Sequence, residues 1–237
     1  MDFAGSALLF DFFGTLVDYD ASTTEQDYSS SHQLIKDFGG MINYEDFLVI
    51  AEKSFGELDR HCAQTLDEFS MHDAAAIILE RAVGRPASPD HLDAFVATYL
   101  QDWNAGVRYL DGIDDLLDQL SRRHRLAVVS NTHHLDLVPD HLKAMGVAQY
   151  FETIVLSIEV GHRKPHPAIY QAALDRLVVP ATDTLFIGDT YLADYAGPRR
   201  QGIPSLLIDP ARSQDVVDHD RLDSVLDLAD RLGQLRP

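Results

Sequence analysis

The stretch DFFGTLVD, residues 11–18, comes directly after the apolar run ALLF at residues 7–10. A short apolar run that ends in an acidic residue is typical of a strand buried inside a parallel sheet. An aspartate at the end of such a strand, followed by Gly14 and Thr15, suits a nucleophilic carboxylate in a turn whose amides face an anion. Asp11 alone would equally fit a turn or helix cap, so its role depends on the rest of the chain.

Four later segments repeat this pattern of a buried strand followed by a turn signal and a helix. They cover residues 126–129, 153–156, 184–187 and 205–208. Strands that alternate with helices predict an α/β fold with a parallel sheet, whose functional groups lie beyond the carboxyl ends of the strands. The helices that we predict after the second strand cover residues 135–145, 166–177, 192–201 and 222–232.

The segment between the first two strands differs from the rest of the chain. We find no strand-like alternation between residues 19 and 107, but helical periodicity over residues 24–38, 44–65, 71–83 and 89–103. This segment is too long for a simple crossover and too helical for a loop. We expect an inserted helical domain at residues 19–107, with the core domain built from residues 1–18 and 108–237.

The composition limits the classes of function. The 237 residues include 38 acidic and 19 basic residues, which gives a net charge of −19 and argues against nucleic acid or an anionic membrane as partner. The single cysteine, Cys62, favours a reducing compartment. We find neither a signal peptide pattern nor an apolar run long enough to span a bilayer, and expect a soluble, cytoplasmic protein.

The ends of the second and third predicted strands carry groups that suit an anion. Ser130 and Asn131 follow the second strand, where a hydroxyl and main-chain amides at a helix N-terminus would bind an anionic oxygen. An ordinary helix N-cap is the alternative. Lys164 follows the third strand and precedes Pro165, which places its ammonium on a loop where it can neutralise an anion. The alternative for this lysine is a solvated surface position.

Two further carboxylates follow the fourth predicted strand. Asp189 and Asp194 would repel each other and Asp11 unless a cation lay between them. Three carboxylates at one sheet edge form an all-oxygen site, which suits Mg²⁺. The alternative is that both acids occupy a helix N-terminus, where the helix dipole favours them.

Together the four motifs, DxxGTL, SN, KPxP and GDxxxxD, resemble those of the haloacid dehalogenase-like hydrolase superfamily, in the same order and over about residues 8–208. The resemblance points to members with a helical cap of the C1 type. It implies a Rossmann-like core and a helical cap inserted after the first motif.

The resemblance also implies roles for individual residues. Asp11 would be the nucleophile, with Lys164 and Ser130 as further catalytic residues. The residues around the substrate would be Phe13, Gly14, Thr15 and Asn131. A Mg²⁺ ion would be held by Asp11, the main-chain carbonyl of Phe13 and Asp189, with Asp194 acting indirectly or through water. The expected activity is Mg²⁺-dependent hydrolysis of a small phosphorylated metabolite.

Phe13 departs from the pattern of the family's phosphatases. Most of them have an aspartate there, which protonates the leaving group and later activates water. A phenylalanine side chain has no proton to give, and losing such a group typically costs about 10²–10⁴ in rate. Acyl phosphates and anhydrides have leaving groups that need no protonation. Alternatively His133 or His134 would supply the proton, although a surface or capping role explains each of them.

Three other interpretations remain open. A metal-independent 2-haloacid dehalogenase also has an aromatic residue at the position of Phe13, and its lysine and tyrosine would correspond to Lys164 and Tyr170. Its fourth motif differs, however, and no arginine lies early in the predicted cap, before Arg60. Phosphonate cleavage would need a cap lysine, and a binding or regulatory protein without catalysis is supported only by Phe13.

The predicted cap does not identify a substrate. Cap helices of this kind close over a small molecule and exclude water. The residues near the expected hinges that would select it are Tyr19, Asp20, Trp103, Asn104 and Tyr109. The sequence leaves the oligomeric state open.

Overall fold

The computed structural model describes residues 5–19 and 27–234 of the chain. It divides into two compact units. The first consists of Met1–Asp18 and Arg108–Pro237, and the second of Tyr19–Val107. Asp20 and the beginning of the helix predicted from residue 24 lie outside the described residues.

The strands of the described residues are β1 (Ala7–Phe10), β2 (Val17–Tyr19), β3 (Val107–Tyr109), β4 (Arg125–Ser130), β5 (Phe151–Leu156), β6 (Thr184–Gly188), β7 (Ser205–Ile208) and β8 (Arg221–Leu222). In the order β5-β4-β1-β6-β7-β8 they form a six-stranded sheet whose neighbouring strands run parallel. This confirms the predicted α/β class. β2 and β3 pair separately, where the chain passes from one unit to the other and back.

Strand β1 occupies the position that organises the sheet. All four of its residues are buried, and it lies between β4 and β6, so the strand order changes direction there. In open α/β sheets, ligands bind outside the carboxyl ends of the strands at such a switch point. The residue directly after β1 is Asp11.

The helices of the first unit flank this sheet. They are α5 (Ile113–Ser121), α6 (Leu137–Ala144), the single turn α7 (Ser157–Val160), α8 (Pro167–Leu177), α9 (Gly197–Arg200) and α10 (Leu228–Gln234). Helix α8 packs its apolar face against the sheet, with Ile169 and Leu177 in the same buried cluster as Phe186. That burial supplies most of the stability of such a helix.

The structure corrects three details of the predicted core. Helix α5 has no counterpart among the predicted helices. The helix predicted from residue 192 begins as a π-helical turn, Tyr191–Ala196. The helix predicted from residue 222 begins too early, because Arg221–Leu222 pairs with β7 as an edge strand.

The second unit contains the helices α1 (Ser29–Asp37), α2 (Tyr44–Thr65), α3 (Met71–Val83) and α4 (Pro89–Asn104). The predicted limits of α2 and α3 are confirmed. Local caps fix their beginnings, because the side chains of Asn43 and Ser70 each accept the N–H three residues later. The four helices enclose an apolar core around Phe47, Ile78 and Phe95.

Over residues 5–19 and 27–234, none of the helices combines the length and the apolar character that a bilayer crossing requires.

Candidate active site

Asp11 begins the loop at the carboxyl end of β1. Its main-chain N–H donates to the carbonyl of Ile187 at 2.9 Å, which ties the residue to the neighbouring strand β6. The side chain is buried, and its Oδ1 accepts a hydrogen bond from Lys164 Nζ at 2.7 Å. Asp11 is therefore a fixed carboxylate at the switch point of the sheet.

The loop after Asp11 requires a glycine at position 14. Gly14 has φ +79°, and its N–H donates to the carbonyl of Val17 at 2.8 Å. A Cβ atom at this position would lie 2.4 Å from Asp189 Oδ2, so glycine also lets that carboxylate approach the loop. The next residue, Thr15, is buried, and its Oγ1 has no hydrogen-bond partner within the part of the chain that the structure describes.

Lys164 lies between two carboxylates. Its Nζ donates to Asp11 Oδ1 and to Asp194 Oδ1, both at 2.7 Å, and stands 5.3 Å from the ring centre of Phe186. Burial alone would lower the pKa of Lys164, but the two carboxylates raise it above its ordinary value. The lysine is consequently a buried ammonium that links motifs far apart in sequence.

Asn131 holds the loop that carries Lys164. Its side-chain oxygen accepts the main-chain N–H of Lys164 at 2.7 Å, and its Nδ2 donates to the Lys164 carbonyl at 3.2 Å. The side-chain amide of Asn131 therefore serves the lysine loop, a contact that the sequence did not reveal because the residues lie 33 positions apart.

The second motif does not lie at a helix N-terminus, so that part of the prediction is wrong. Helix α6 begins only at Leu137, with Asp136 as the residue before it. Ser130 is instead buried at the end of β4, and its hydroxyl lies 3.4 Å from the carbonyl of Asn131. The N–H of Thr132 is also engaged, because it donates to Ser157 Oγ at 2.8 Å.

Asp11, Asp189 and Asp194 converge on one point. Each offers a carboxylate oxygen, and these three atoms lie within 4.8 Å of one another. Asp194 is fully buried and accepts the N–H of Thr190 on Oδ2 at 2.9 Å, while Lys164 occupies Oδ1. Asp189, by contrast, is exposed.

The three carboxylates carry more negative charge than Lys164 neutralises. Burial, followed by the charge of Asp11, raises the pKa of Asp194 to about 7 against the opposing effect of Lys164. Desolvation against the loop and the charge of Asp11 likewise raise the pKa of Asp189 to about 6. An additional cation would relieve this repulsion, and an all-oxygen donor set suits a hard divalent ion.

The Phe13 ring is half-buried beside a histidine that sequence reasoning missed. Its ring centre lies 4.9 Å from that of Phe12 and 6.2 Å from that of His141, both edge-on. His141 Nδ1 lies 3.0 Å from the hydroxyl of Tyr109, and burial lowers the pKa of His141 below its ordinary value.

Of the two predicted proton donors, His134 uses Nδ1 to accept the N–H of Asp136 at 3.3 Å, a local capping contact.

Residues that the sequence suggested for dehalogenation or substrate selection make contacts within the protein. Tyr170 is fully buried, and its hydroxyl donates to the carbonyl of Ala193. Within the second unit, Tyr19 and Trp103 stack with ring centres 4.6 Å apart.

Comparison with known proteins agrees with this geometry. The haloacid dehalogenase-like hydrolase family matches residues 8–208. A ribulose-1,5-bisphosphate 5-phosphatase of Halopiger xanaduensis is 24% identical over 217 residues, which cover 90% of this chain and 88% of that protein. The human haloacid dehalogenase-like hydrolase domain-containing protein 3 is 35% identical over 113 residues, or 47% of this chain and 44% of the human protein.

Solved structures share the fold at low sequence identity. A 2-haloacid dehalogenase from Pseudomonas syringae superposes with a TM-score of 0.71 at 20% identity, over 97% of this chain and 98% of that one. A family enzyme from Bacteroides thetaiotaomicron, in complex with magnesium and inorganic phosphate, gives 0.58 at 21% identity, over 90% and 97%. The chain belongs to the haloacid dehalogenase-like hydrolase family.

Proposed function

We propose that this protein is a Mg²⁺-dependent phosphatase that acts on a small phosphorylated metabolite with Asp11 as nucleophile. The observation that carries the proposal is the convergence of Asp11, Asp189 and Asp194 within 4.8 Å around the buried Lys164. The similarity to a sugar-bisphosphate phosphatase over 90% of the chain supports the same substrate class.

The residues present fit a magnesium ion. Asp11 and Asp189 would hold it directly, together with the main-chain carbonyl of Phe13. Both oxygens of Asp194 already accept hydrogen bonds, from Lys164 and Thr190, which favours an indirect role for this residue. When bound, Mg²⁺ supplies positive charge that brings an anionic phosphoryl group towards an anionic nucleophile.

Asp11 forms the covalent bond in the proposed reaction. One carboxylate oxygen attacks phosphorus, the bond from phosphorus to the leaving oxygen breaks, and an aspartyl phosphate results. Water then attacks the phosphorus and loses a proton to solvent, the bond from phosphorus to the Asp11 oxygen breaks, and inorganic phosphate and the free Asp11 carboxylate result. Lys164 orients the Asp11 carboxylate through Oδ1 and adds positive charge next to the transferred group.

The buried hydroxyl of Thr15 supports an anionic substrate. It is four residues from Asp11 and has no partner among the described residues. Leaving a buried hydroxyl unpaired costs free energy, and a phosphoryl oxygen would accept a hydrogen bond from it. We therefore assign Thr15 to phosphoryl binding, together with the turn at Gly14 and, in the second motif, Ser130 and the main chain of Asn131.

Phe13 decides which phosphorylated compounds are good substrates. It provides no acid, so substrates whose leaving groups have a low pKa, such as acyl phosphates, should react fastest. We further propose that the helical second unit selects the substrate, because it is inserted directly after the DFFGTL motif, where this family carries its cap.

Metal-independent dehalogenation is the second candidate, favoured by the aromatic Phe13. The third carboxylate, Asp189, argues against it, because a carboxylate substrate would be repelled without a metal. The hydroxyl of Tyr170 is moreover engaged with the carbonyl of Ala193.

The test is phosphate release from a panel of phosphomonoesters and acyl phosphates, with Mg²⁺ and then with EDTA, beside halide release from 2-chloropropionate. Mg²⁺-dependent phosphate release that D11N abolishes is the expected result. Halide release that persists in EDTA, without phosphate release, would replace the proposal by the dehalogenase. If neither phosphate nor halide is released, the protein hydrolyses neither phosphorylated compounds nor 2-haloacids of the classes tested, and the proposal is wrong.

A further inference from the structure

Asp194 lies on the π-helical turn Tyr191–Ala196 rather than on a regular α-helix. In a π-helix each carbonyl accepts the N–H five residues later, and such turns are frequent at functional sites. The N–H of Gly197 follows this pattern and donates to the carbonyl of Leu192. The following carbonyl, that of Ala193, would need the N–H of residue 198.

Residue 198 cannot supply that donor. It is a proline, which has no N–H. The N–H of Gly197, which an α-helical turn would offer to Ala193, is already bonded to Leu192. The buried carbonyl of Ala193 therefore needs a donor from outside the turn, because a buried carbonyl left unpaired is costly.

The hydroxyl of Tyr170 on α8 is that donor. Tyr170 is fully buried, and its ring meets Phe186 edge-on at 5.8 Å, which fixes the direction of the hydroxyl. Glycine at 197 makes room for it, since a Cβ there would lie 2.3 Å from Tyr170 Oη. The other side of the same peptide is bonded as well, because Asp194 N–H donates to the carbonyl of Thr190 at 2.7 Å.

From this arrangement we infer that Tyr170 is a positioning residue, which fixes the peptide before Asp194 and thereby the carboxylate that holds Lys164. The hydroxyl replaces the main-chain donor that Pro198 removes. The inference rests on the proposed function, because it concerns the Asp194 carboxylate of the proposed magnesium site.

The test compares Y170F with Y195F, a matched control on the π-helical turn that carries Asp194. Y195F also removes one buried hydroxyl, which donates to Asp220 Oδ2 at 2.9 Å rather than to the carbonyl of Ala193. Mg²⁺ binding is measured by titration calorimetry and by the rise in Tm that Mg²⁺ causes, alongside kcat and KM. We expect Y170F to bind Mg²⁺ about tenfold more weakly and Y195F to bind it as the unaltered protein does.

A rescue variant separates positioning from general loss of stability. P198A restores a main-chain N–H at the position that a π-helical turn uses, so Y170F/P198A should recover most of the Mg²⁺ affinity. If Y170F alone does not fold, the double variant carries the same test, and it must fold and bind Mg²⁺.

The outcomes distinguish this inference from the proposed function. Unchanged Mg²⁺ affinity in Y170F, equal losses in Y170F and Y195F, or no recovery in the double variant would each overturn the role of Tyr170. Absence of Mg²⁺ binding by the unaltered protein would instead overturn the proposed metal site itself.

Discussion

The side chain of Asn131 forms hydrogen bonds with both main-chain polar groups of Lys164. Oδ1 accepts the N–H at 2.7 Å, and Nδ2 donates to the carbonyl at 3.2 Å. The lysine in turn donates to Asp11 and Asp194. The position of the ammonium between the two carboxylates is thus supported by an asparagine that holds the lysine's main chain.

Replacing Asn131 by alanine should reduce kcat far more than it reduces stability. Both bonds to the Lys164 main chain are lost, and displacing a catalytic group by about 1 Å can cost about 10²-fold in rate. Phosphate release and urea unfolding are the measurements. The control is N43A in the second unit, because Asn43 also makes two bonds, both to Asp46, as the cap of α2. Similar losses of activity in both variants would contradict the role of Asn131.

Alanine at Gly14 should abolish the Mg²⁺ response. The residue has φ +79°, and the added Cβ would lie 2.4 Å from Asp189 Oδ2, so the carboxylate or the loop must move. The matched control is G146A, which meets the same left-handed strain at φ +72° with no atom within 4 Å of the new Cβ. That strain costs roughly 1–2 kcal/mol in each variant. Mg²⁺ titration calorimetry should show weaker binding in G14A than in G146A. Equal Mg²⁺ affinity in the two variants would show that the contact with Asp189 is not the cause.

Aspartate at Phe13 should raise the rate on alkyl phosphates by about 10²-fold, because it adds the proton donor that these leaving groups need. Acyl phosphates should gain little, since their leaving groups depart without a proton. The control is F13N, which has nearly the shape of aspartate without its acid. The ratio of kcat/KM between an alkyl and an acyl phosphate is the measurement, and an equal gain in F13N would argue against proton donation.

Asp209 should stabilise the fold at neutral pH and lose this effect in acid. Burial would raise the pKa of Asp209, but the N–H groups of Ser213 and Gln214, at 2.9 and 3.0 Å, and the charge of Arg221 hold it below its ordinary value. A carboxylate with a lowered pKa contributes stability above its unfolded pKa of about 4, and loses it as the pH falls through the folded value.

D209N is therefore expected to unfold at lower urea concentration at pH 7, with a difference from the unaltered protein that narrows below about pH 4. The control is D223N, which breaks the exposed pair with Arg212 at 3.3 Å and should change little at either pH. A difference in D209N that is independent of pH would show that the carboxylate charge is not the cause.

The parts of this fold that are encoded locally could be read from the sequence. Apolar runs mark the strands around Asp11, and the caps Asn43 and Ser70 mark the beginnings of α2 and α3. Contacts between distant residues could not be read in this way. The edge strand β8 pairs with β7, and the π-helical turn before Gly197 accepts a hydrogen bond from the hydroxyl of Tyr170, which lies on α8.

The candidate site follows the same division. The motif spacing predicts that Asp11, Asp189 and Asp194 lie at one edge of the sheet, because parallel strands share their carboxyl ends. It does not predict the contact of Phe13 with His141, a buried residue of α6, since the two residues lie far apart in the sequence and a single histidine within a helix carries no pattern of its own.

The pairing of β2 with β3 means that the chain leaves the first unit and returns to it through neighbouring strands. The two ends of the inserted segment are held together whatever lies between them, and loop-closure entropy grows only slowly with length. Helices can be lengthened, shortened or exchanged in residues 19–107 with little demand on the strands that carry the carboxylates. If the second unit selects the substrate as proposed, such a junction lets changes in residues 19–107 alter the substrate without altering the strands that carry the carboxylates.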